Sequence, residues 1–191
     1  SRWEANFLNS SQLRVEMFNR YTKLYDEFDP TRTDNAIPLP ANENYYYTSY
    51  NLSFRSDRRK KISYRINPSV GQFYNGKKYS LVTSLSVRLQ PYFSGSIQMN
   101  YDKIDLPGPY PDASILLIGP KFDITFTKNI FWSTFFQYST QRENLSINTR
   151  FQWRVAPLSD LFLVYNDNYA TTVFSPRFRS LNLKFTYWLN I

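Results

Sequence analysis

Residues 145–155 read LSINTRFQWRV and residues 180–191 read SLNLKFTYWLNI, so in both segments large apolar residues alternate with polar ones. Successive side chains of a β-strand point to opposite faces, which gives each segment one apolar wall and one polar wall. A soluble antiparallel sheet shows the same alternation when its apolar wall covers a core. Strands of about ten residues with bulky aromatic side chains are typical of transmembrane β-barrels, with lipid outside and a polar lumen inside. The sequence therefore predicts an all-β fold, an antiparallel up-and-down transmembrane β-barrel.

The alternation divides the side chains between the two walls. The apolar side chains of these two segments that are predicted to face lipid are Leu145, Ile147, Phe151, Trp153, Leu181, Leu183, Phe185, Tyr187, Leu189 and Ile191. Basic residues fall singly on the polar wall of successive strands, and those predicted to face the lumen are Arg55, Arg65, Arg88, Arg150, Arg154 and Lys184. Two explanations stay open for the basic residues. The lumen holds polar or anionic contents, or the charges are paired across the barrel.

The composition agrees with a barrel. Aromatic residues make up 19% of the chain, yet its mean hydropathy is negative. No apolar run approaches the roughly 18 residues that a transmembrane helix needs. A barrel keeps the average hydropathy modest because only every second residue of a strand meets lipid. A soluble β-sandwich of the same length is the alternative.

The chain contains neither cysteine nor histidine, which excludes disulfides, Cys/His zinc sites and His-dependent nucleophiles. We therefore expect no catalytic residue, no cofactor and no enzymatic activity. Asp102, Asp105 and Asp112 surround a proline-rich loop and have the oxygen ligands that calcium prefers, but solvated loop charges are the simpler interpretation. The formal net charge of +8 is spread along the chain instead of clustered, so no nucleic-acid partner is predicted.

The pattern predicts eleven strands, over residues 2–8, 12–26, 45–55, 61–73, 78–90, 93–104, 114–127, 130–140, 145–155, 160–166 and 180–191. Asn75-Gly76 is the pair that a type I′ hairpin favours. In an antiparallel meander of eleven strands the first and last run in the same direction, so they cannot close as antiparallel neighbours. We therefore expect residues 1–191 to be one domain, the C-terminal segment of a larger barrel, with further strands upstream or in another chain.

The predicted connections fall into two classes. Those at one end of the sheet are all short and comprise residues 9–11, 57–60, 91, 128–129 and 156–159. Those at the other end include three long ones and comprise residues 29–44, 74–77, 105–112, 141–144 and 167–179. Outer-membrane barrels have short periplasmic turns and longer external loops. The sorting predicts an outer-membrane location with a periplasmic C-terminus.

Tyrosines cluster where the first long loop enters a strand, at Tyr45, Tyr46, Tyr47 and Tyr50. Phenol rings prefer the depth of the lipid headgroups, so these residues are predicted to form an interfacial girdle. Stacking on sugars is the alternative function for the same rings.

Several short segments resemble one family of outer-membrane proteins. Its members carry an N-terminal module similar to family-nine carbohydrate-binding domains, followed by a C-terminal barrel domain of unknown function. The segments that resemble it are SDRR at 56–59, GQFYNG at 71–76, DLPG at 105–108, FQWR at 151–154, SDLFLVYN at 159–166 and RSLNLKFTY at 179–187. The chain departs from the family where residues 156–158 read APL instead of a proline-glycine turn, and where Ile191 replaces a final aromatic residue.

The resemblance implies a surface protein of a Gram-negative bacterium but supplies no catalytic residue. The first hypothesis is a structural or transport barrel of the outer membrane, or a subunit of a larger membrane assembly. The second is a barrel that anchors a surface carbohydrate-binding or carbohydrate-processing protein. The expected partners are membrane lipid and lipopolysaccharide, with other outer-membrane proteins or glycans as further candidates.

Overall fold

The computed structural model of the protein describes residues 1–33 and 36–189. These residues form a single antiparallel sheet of eleven strands in which each strand lies next to its neighbour in sequence. The order has two ends, the first strand and the eleventh, so the sheet is open within the described residues. Among them, no helix is long and apolar enough to cross a membrane.

The eleven strands confirm the predicted number and type of elements. They are β1 (Arg2–Asn6), β2 (Gln12–Lys23), β3 (Asn44–Arg55), β4 (Ile62–Phe73), β5 (Gly76–Leu89), β6 (Phe93–Asp105), β7 (Ala113–Thr127), β8 (Ile130–Ser139), β9 (Asn144–Ala156), β10 (Ser159–Ala170) and β11 (Ser175–Thr186). Most predicted bounds agree to within a few residues, because the period-two alternation extends over nearly the whole of each strand.

The long connection predicted over residues 167–179 is wrong. β10 continues to Ala170 and β11 begins at Ser175, which leaves residues 171–174 as the connection. Polar residues made this stretch look like a loop, but they have partners inside the sheet: Asp167 Oδ2 pairs with Arg179 at 2.9 Å, and the Asn168 amide donates to Ser146 Oγ at 3.1 Å. The register also shifts between Asn168 and Tyr169, which interrupts the alternation.

The type I′ hairpin predicted at Asn75-Gly76 is also wrong. The turn between β4 and β5 is formed by residues 74–75, with Tyr74 at a φ of 52°, and none of the described glycines has a positive φ. Gly76 already belongs to β5, and a Cβ on it would lie 2.2 Å from the carbonyl oxygen of Asp105. Its lack of a side chain therefore permits a close approach of backbones and is not used for a turn.

The chain divides into two compact units. One contains residues 1–84 and 99–116, and the other contains residues 85–98 together with the chain from residue 117 onward. In the first unit the best-buried part lies in the connection between β2 and β3, where Phe28 and Leu39 exchange two backbone hydrogen bonds of 3.1 and 2.8 Å. The Leu39 side chain is completely buried.

Asp29 organises the same connection. Its carboxylate accepts hydrogen bonds from the backbone N–H and the hydroxyl of Thr31, at 2.8 and 2.6 Å, and from the backbone N–H of Thr33 at 2.9 Å. Burial opposes the charged form, but these donors outweigh it, so the pKa of the Asp29 carboxyl lies below its usual value. The segment is thus a folded structure with its own hydrogen bonds.

Candidate functional site

The sheet has two chemically different faces, which the register in the second unit defines. Trp132 lies opposite Phe151, Phe151 opposite Leu163, and Leu163 opposite Leu183, so one apolar row crosses β8 to β11. Residues directly opposite each other on neighbouring strands share a face. Trp132, Leu163 and Leu183 of this row are exposed, with 69% of Leu183 accessible, and Phe151 is half-buried between its neighbours. We call this side of the sheet the apolar face.

Those residues predicted to face lipid that belong to a strand all lie on the apolar face. Those that the register places together are Leu145, Ile147, Phe151, Trp153, Leu181, Leu183 and Phe185. Tyr187 and Leu189 lie beyond the end of β11 and are exposed. Ile191 lies outside the described residues.

The first unit has an apolar face of the same kind. Trp3 pairs with Val15 and Val15 with Leu52, and in the next strands Tyr50 pairs with Val70. The exposed apolar side chains of these rows are Trp3, Val15, Tyr50, Leu52, Ile66 and Val70. Since the same exposure recurs in both units, it is a property of the sheet and not of one strand.

The opposite side, the polar face, carries a ladder of amides and hydroxyls in the second unit. The Asn148 amide donates to Asn166, and the Asn166 amide donates in turn to Ser180 Oγ at 3.2 Å. Towards the end of β9, Arg154 Nε lies 3.5 Å from Asp160 Oδ1, in a pair formed directly across two strands. Polar groups on this face therefore satisfy one another from strand to strand.

The basic residues predicted to face the lumen have different surroundings. Arg150 and Lys184 lie on the polar face with Arg154, while Arg88 lies in β5 and has an interaction partner. Arg55 and Arg65 lie directly opposite each other on the polar face of the first unit. Arg154 is therefore paired with a carboxylate, whereas Arg55 and Arg65 lie opposite each other without one among the described residues.

Ion pairs also occupy the polar face of the first unit. Glu4 accepts from Arg2 and lies 3.1 Å from Arg14 Nε, while the Ser53 hydroxyl donates to the Asn67 side-chain oxygen at 2.7 Å. The face is thus polar from β1 to β4.

The four clustered tyrosines are divided between the faces. Tyr46 and Tyr50 lie on the apolar face and are exposed, as a girdle requires. Tyr45 and Tyr47 lie on the polar face, where their ring centroids are 5.3 and 5.9 Å from that of Tyr74. The alternation of odd and even positions could have assigned Tyr45 and Tyr47 to one face and Tyr46 and Tyr50 to the other. The four residues were instead treated as one group because all of them are tyrosines.

The Tyr74 ring joins the connection between β2 and β3 to the polar face. The Phe28 ring of that connection lies 5.6 Å from Tyr74, which also contacts Phe73 and Tyr47. The connection therefore folds over the polar face of its own unit, and the apolar face carries none of this cluster.

A groove of about 310 Å³ lies on the polar face beside this ring cluster. Its floor includes Gly71, and its walls include the rings of Tyr47 and Phe73. Lys78 Nζ lies 5.3 Å from the Phe73 ring centroid and 3.0 Å from Asp102. The groove thus combines aromatic surface, polar groups and a lysine whose charge is paired with a carboxylate.

One charged cluster lies on the apolar face and was missed by sequence reasoning. Asp167 is only 2% exposed and pairs with Arg179, whose guanidinium donates to the Tyr169 hydroxyl at 2.6 Å. The Tyr165 hydroxyl donates to the same carboxylate. All four residues lie near the turn of the hairpin formed by β10 and β11. The two tyrosine hydroxyls therefore cover the ion pair between Asp167 and Arg179.

The carboxylates considered for calcium each lie beside a lysine or a backbone N–H of the protein. Asp102 pairs with Lys78, Asp105 lies 3.2 Å from Lys103 Nζ, and Asp112 accepts the backbone N–H of Leu106 at 2.9 Å. In the part of the chain that the structure describes, no cluster of acidic side chains could hold a metal ion.

No family model matches this chain, and neither the curated proteins nor the solved structures contain a match. A functional proposal therefore rests on the two faces of the sheet.

Proposed function

We propose that this chain forms part of the wall of a β-barrel in the outer membrane of a Gram-negative bacterium. The exposed apolar rows of both units carry the proposal. In water, leaving such surface uncovered costs about 25 cal/mol per Å² relative to burial. Contiguous exposed patches of this kind mark interaction or membrane surfaces in soluble proteins. Acyl chains of lipid and lipopolysaccharide would cover the apolar face, and water would fill the space over the polar face.

The soluble sandwich is the weaker explanation because it needs a second layer against the apolar face. The well-buried apolar residues among those described are Leu24, Leu39, Tyr47, Ile104, Leu106 and Ala170. Apart from Tyr47 on the polar face, these lie at strand ends or in connections. A sandwich of this length would instead bury the mid-strand residues of one face, such as Phe151 and Leu183.

The odd number of strands supports a wall with additional strands. β1 and β11 run in the same direction in an antiparallel order of eleven. An odd number of further strands between them would close the wall with antiparallel pairs throughout. Unpaired backbone groups at an open edge cost several kcal/mol each in lipid. We therefore propose that another part of the protein, or another chain, supplies the missing strands.

The connections support a periplasmic C-terminus. Those at the end of the sheet where β11 finishes are short, including residues 90–92, 128–129 and 157–158. The opposite end carries the long connection between β2 and β3, which would be extracellular. Tyr46, which lies on the apolar face near that end, would then lie at headgroup depth.

A barrel that anchors a carbohydrate-handling protein is the second candidate, in line with the family resemblance. The groove beside Tyr47 and Phe73 favours it, because aromatic surface with nearby amides and hydroxyls is suited to sugar rings. The two candidates share the same membrane wall and differ in what meets the polar face.

Vesicle flotation tests the membrane wall. Protein that includes the additional strands, unfolded in urea and diluted into phospholipid vesicles, should acquire β-structure, float with the vesicles in a density gradient and resist alkaline carbonate extraction. We expect diluted protein without lipid or detergent to aggregate, because its apolar face has no cover. A folded, monodisperse β-protein in plain buffer would contradict the proposal.

A further inference from the structure

Arg55 and Arg65 form a cross-strand pair of like charges on the polar face. They lie directly opposite each other in the register of β3 and β4. Cβ atoms of such residues are about 4.5–5.5 Å apart, and like charges in this position destabilise a sheet. The Nε atoms of both arginines are buried and have no hydrogen-bond partner within the described residues. The pair thus combines repulsion with unsatisfied donors.

The carboxylates near this pair are occupied by other cations. Glu4 is held by Arg2 and Arg14, and Asp57, at the start of the adjoining turn, is held by the guanidinium of Arg59 at 3.1 Å. Arg14 and Arg58 add further positive potential at Arg55. The surroundings therefore strengthen the positive field instead of cancelling it.

Polar neighbours do not neutralise the pair either. Gln12 lies opposite Arg55 on β2, but its amide donates to Glu4 and Asn6. On the other side, Thr83 is bonded to the backbone carbonyl of Arg65 and not to its guanidinium. Neither Gln12 nor Thr83 therefore supplies an acceptor to the two guanidinium groups.

We propose that Arg55 and Arg65 together bind a phosphate-type oxyanion at the polar face. Guanidinium groups are planar forks whose donors match the oxygens of phosphate, and a charge-assisted pair is stronger than a neutral hydrogen bond. One anion between the two forks would accept hydrogen bonds from their terminal N–H groups and convert the repulsion into attraction. Because the site is on the polar face, the anion that it binds is a dissolved phosphate and not the phosphate of a lipid headgroup. The inference holds whether or not the apolar face meets lipid.

Calorimetric titration with inorganic phosphate tests the site on the whole protein in a neutral detergent. We expect the double variant Arg55→Gln/Arg65→Gln to lose at least tenfold in affinity. Arg150→Gln is the matched control, since Arg150 lies on the same type of face with Ser133 and Val164 opposite it, and we expect its affinity to stay within twofold. Arg55→Lys keeps the charge without the fork and should retain part of the binding.

Stability without phosphate separates this site from a structural role. If the arginines bind an anion, Arg55→Gln should unfold at an equal or higher urea concentration than the parent in phosphate-free buffer, because the repulsion is gone. Added phosphate should stabilise the parent and not the double variant Arg55→Gln/Arg65→Gln. Failure of phosphate to bind the parent, or equal affinity in the double variant, would overturn the proposal. Binding seen only in nanodiscs with phosphatidylglycerol, and not with free phosphate, would overturn the assignment to a dissolved ligand.

Discussion

A Leu183→Lys substitution should destabilise the folded protein in a lipid bilayer by more than about 1 kcal/mol, since a lysine on the lipid face costs about 2–4 kcal/mol at the bilayer midplane and about 0–1 kcal/mol near the interfaces. Leu183 is the ninth of the twelve residues of β11, lies opposite Leu163 of β10 and is already 69% exposed. In a water-soluble protein, a substitution at such a position changes stability by only about 0.5 kcal/mol in either direction. The size of the effect therefore reports which solvent the apolar face meets.

Asn182→Lys is the matched control. Asn182 is the preceding residue, is also exposed, and points to the polar face, where its amide donates to Ser180 Oγ at 3.3 Å. Losing that exposed hydrogen bond should cost much less than placing a charge in lipid. Urea unfolding of both variants in phospholipid bilayers measures the difference. Equal free energies of unfolding for the two variants would show that the faces do not differ in environment.

A Gly71→Ala substitution should be the most damaging change on the polar face, with an expected loss of about 1–3 kcal/mol or more from overpacking. A Cβ on Gly71 would lie 2.4 Å from Ser49 Cα and 2.6 Å from the carbonyl oxygen of Thr48. Gly71 is also the direct partner of Ser49 between β3 and β4. Because the obstructing atoms include backbone, the two strands must separate to admit the methyl group.

Gly108→Ala controls for the general effect of replacing glycine. An added Cβ there meets no atom within 4 Å, so we expect its free energy of unfolding to stay within about 0.5 kcal/mol of the parent. Both variants are compared by urea unfolding under the same lipid conditions. A Gly71→Ala protein as stable as Gly108→Ala would mean that β3 and β4 do not approach each other as closely as described.

The strands were predictable because one pattern, apolar side chains on one face and polar side chains on the other, extends over most strand residues. Residues 145–155 follow it without a break, and β9 extends from Asn144 to Ala156. The prediction failed where polar side chains satisfy one another within the sheet. Asp167 and Arg179 look like loop residues in sequence, and only their contact across β10 and β11 reveals that they belong to strands.

The arginine pair could not be predicted, since it depends on register. A tight turn over residues 57–60 would place Arg55 opposite Ile62, whereas the actual connection, residues 56–61, places it opposite Arg65. The hydrogen bond from the Ser56 N–H to the carbonyl oxygen of Tyr64, 2.9 Å long, fixes this wider arrangement. Alternation assigns each residue to a face, but the partner on that face depends on the geometry of the turn.

The fold of the connection between β2 and β3 was likewise beyond the sequence pattern. It has no periodicity, so it was treated as an external loop. Thr31 and Leu39 are buried where Asp29 makes local hydrogen bonds and where the Phe28 ring contacts Tyr74, a residue far away in the chain.

Spin-label accessibility along β9 tests the contact of the apolar face with acyl chains most directly. The chain contains no cysteine, so a nitroxide can be attached to single cysteines introduced in turn at residues 145–155 of the reconstituted protein. We expect collisions with oxygen to be greatest at the odd positions, including 151 and 153, and collisions with a water-soluble nickel chelate to be greatest at the even positions. If the odd positions are shielded from both reagents, or reached by the chelate as readily as the even ones, the apolar face does not lie against lipid.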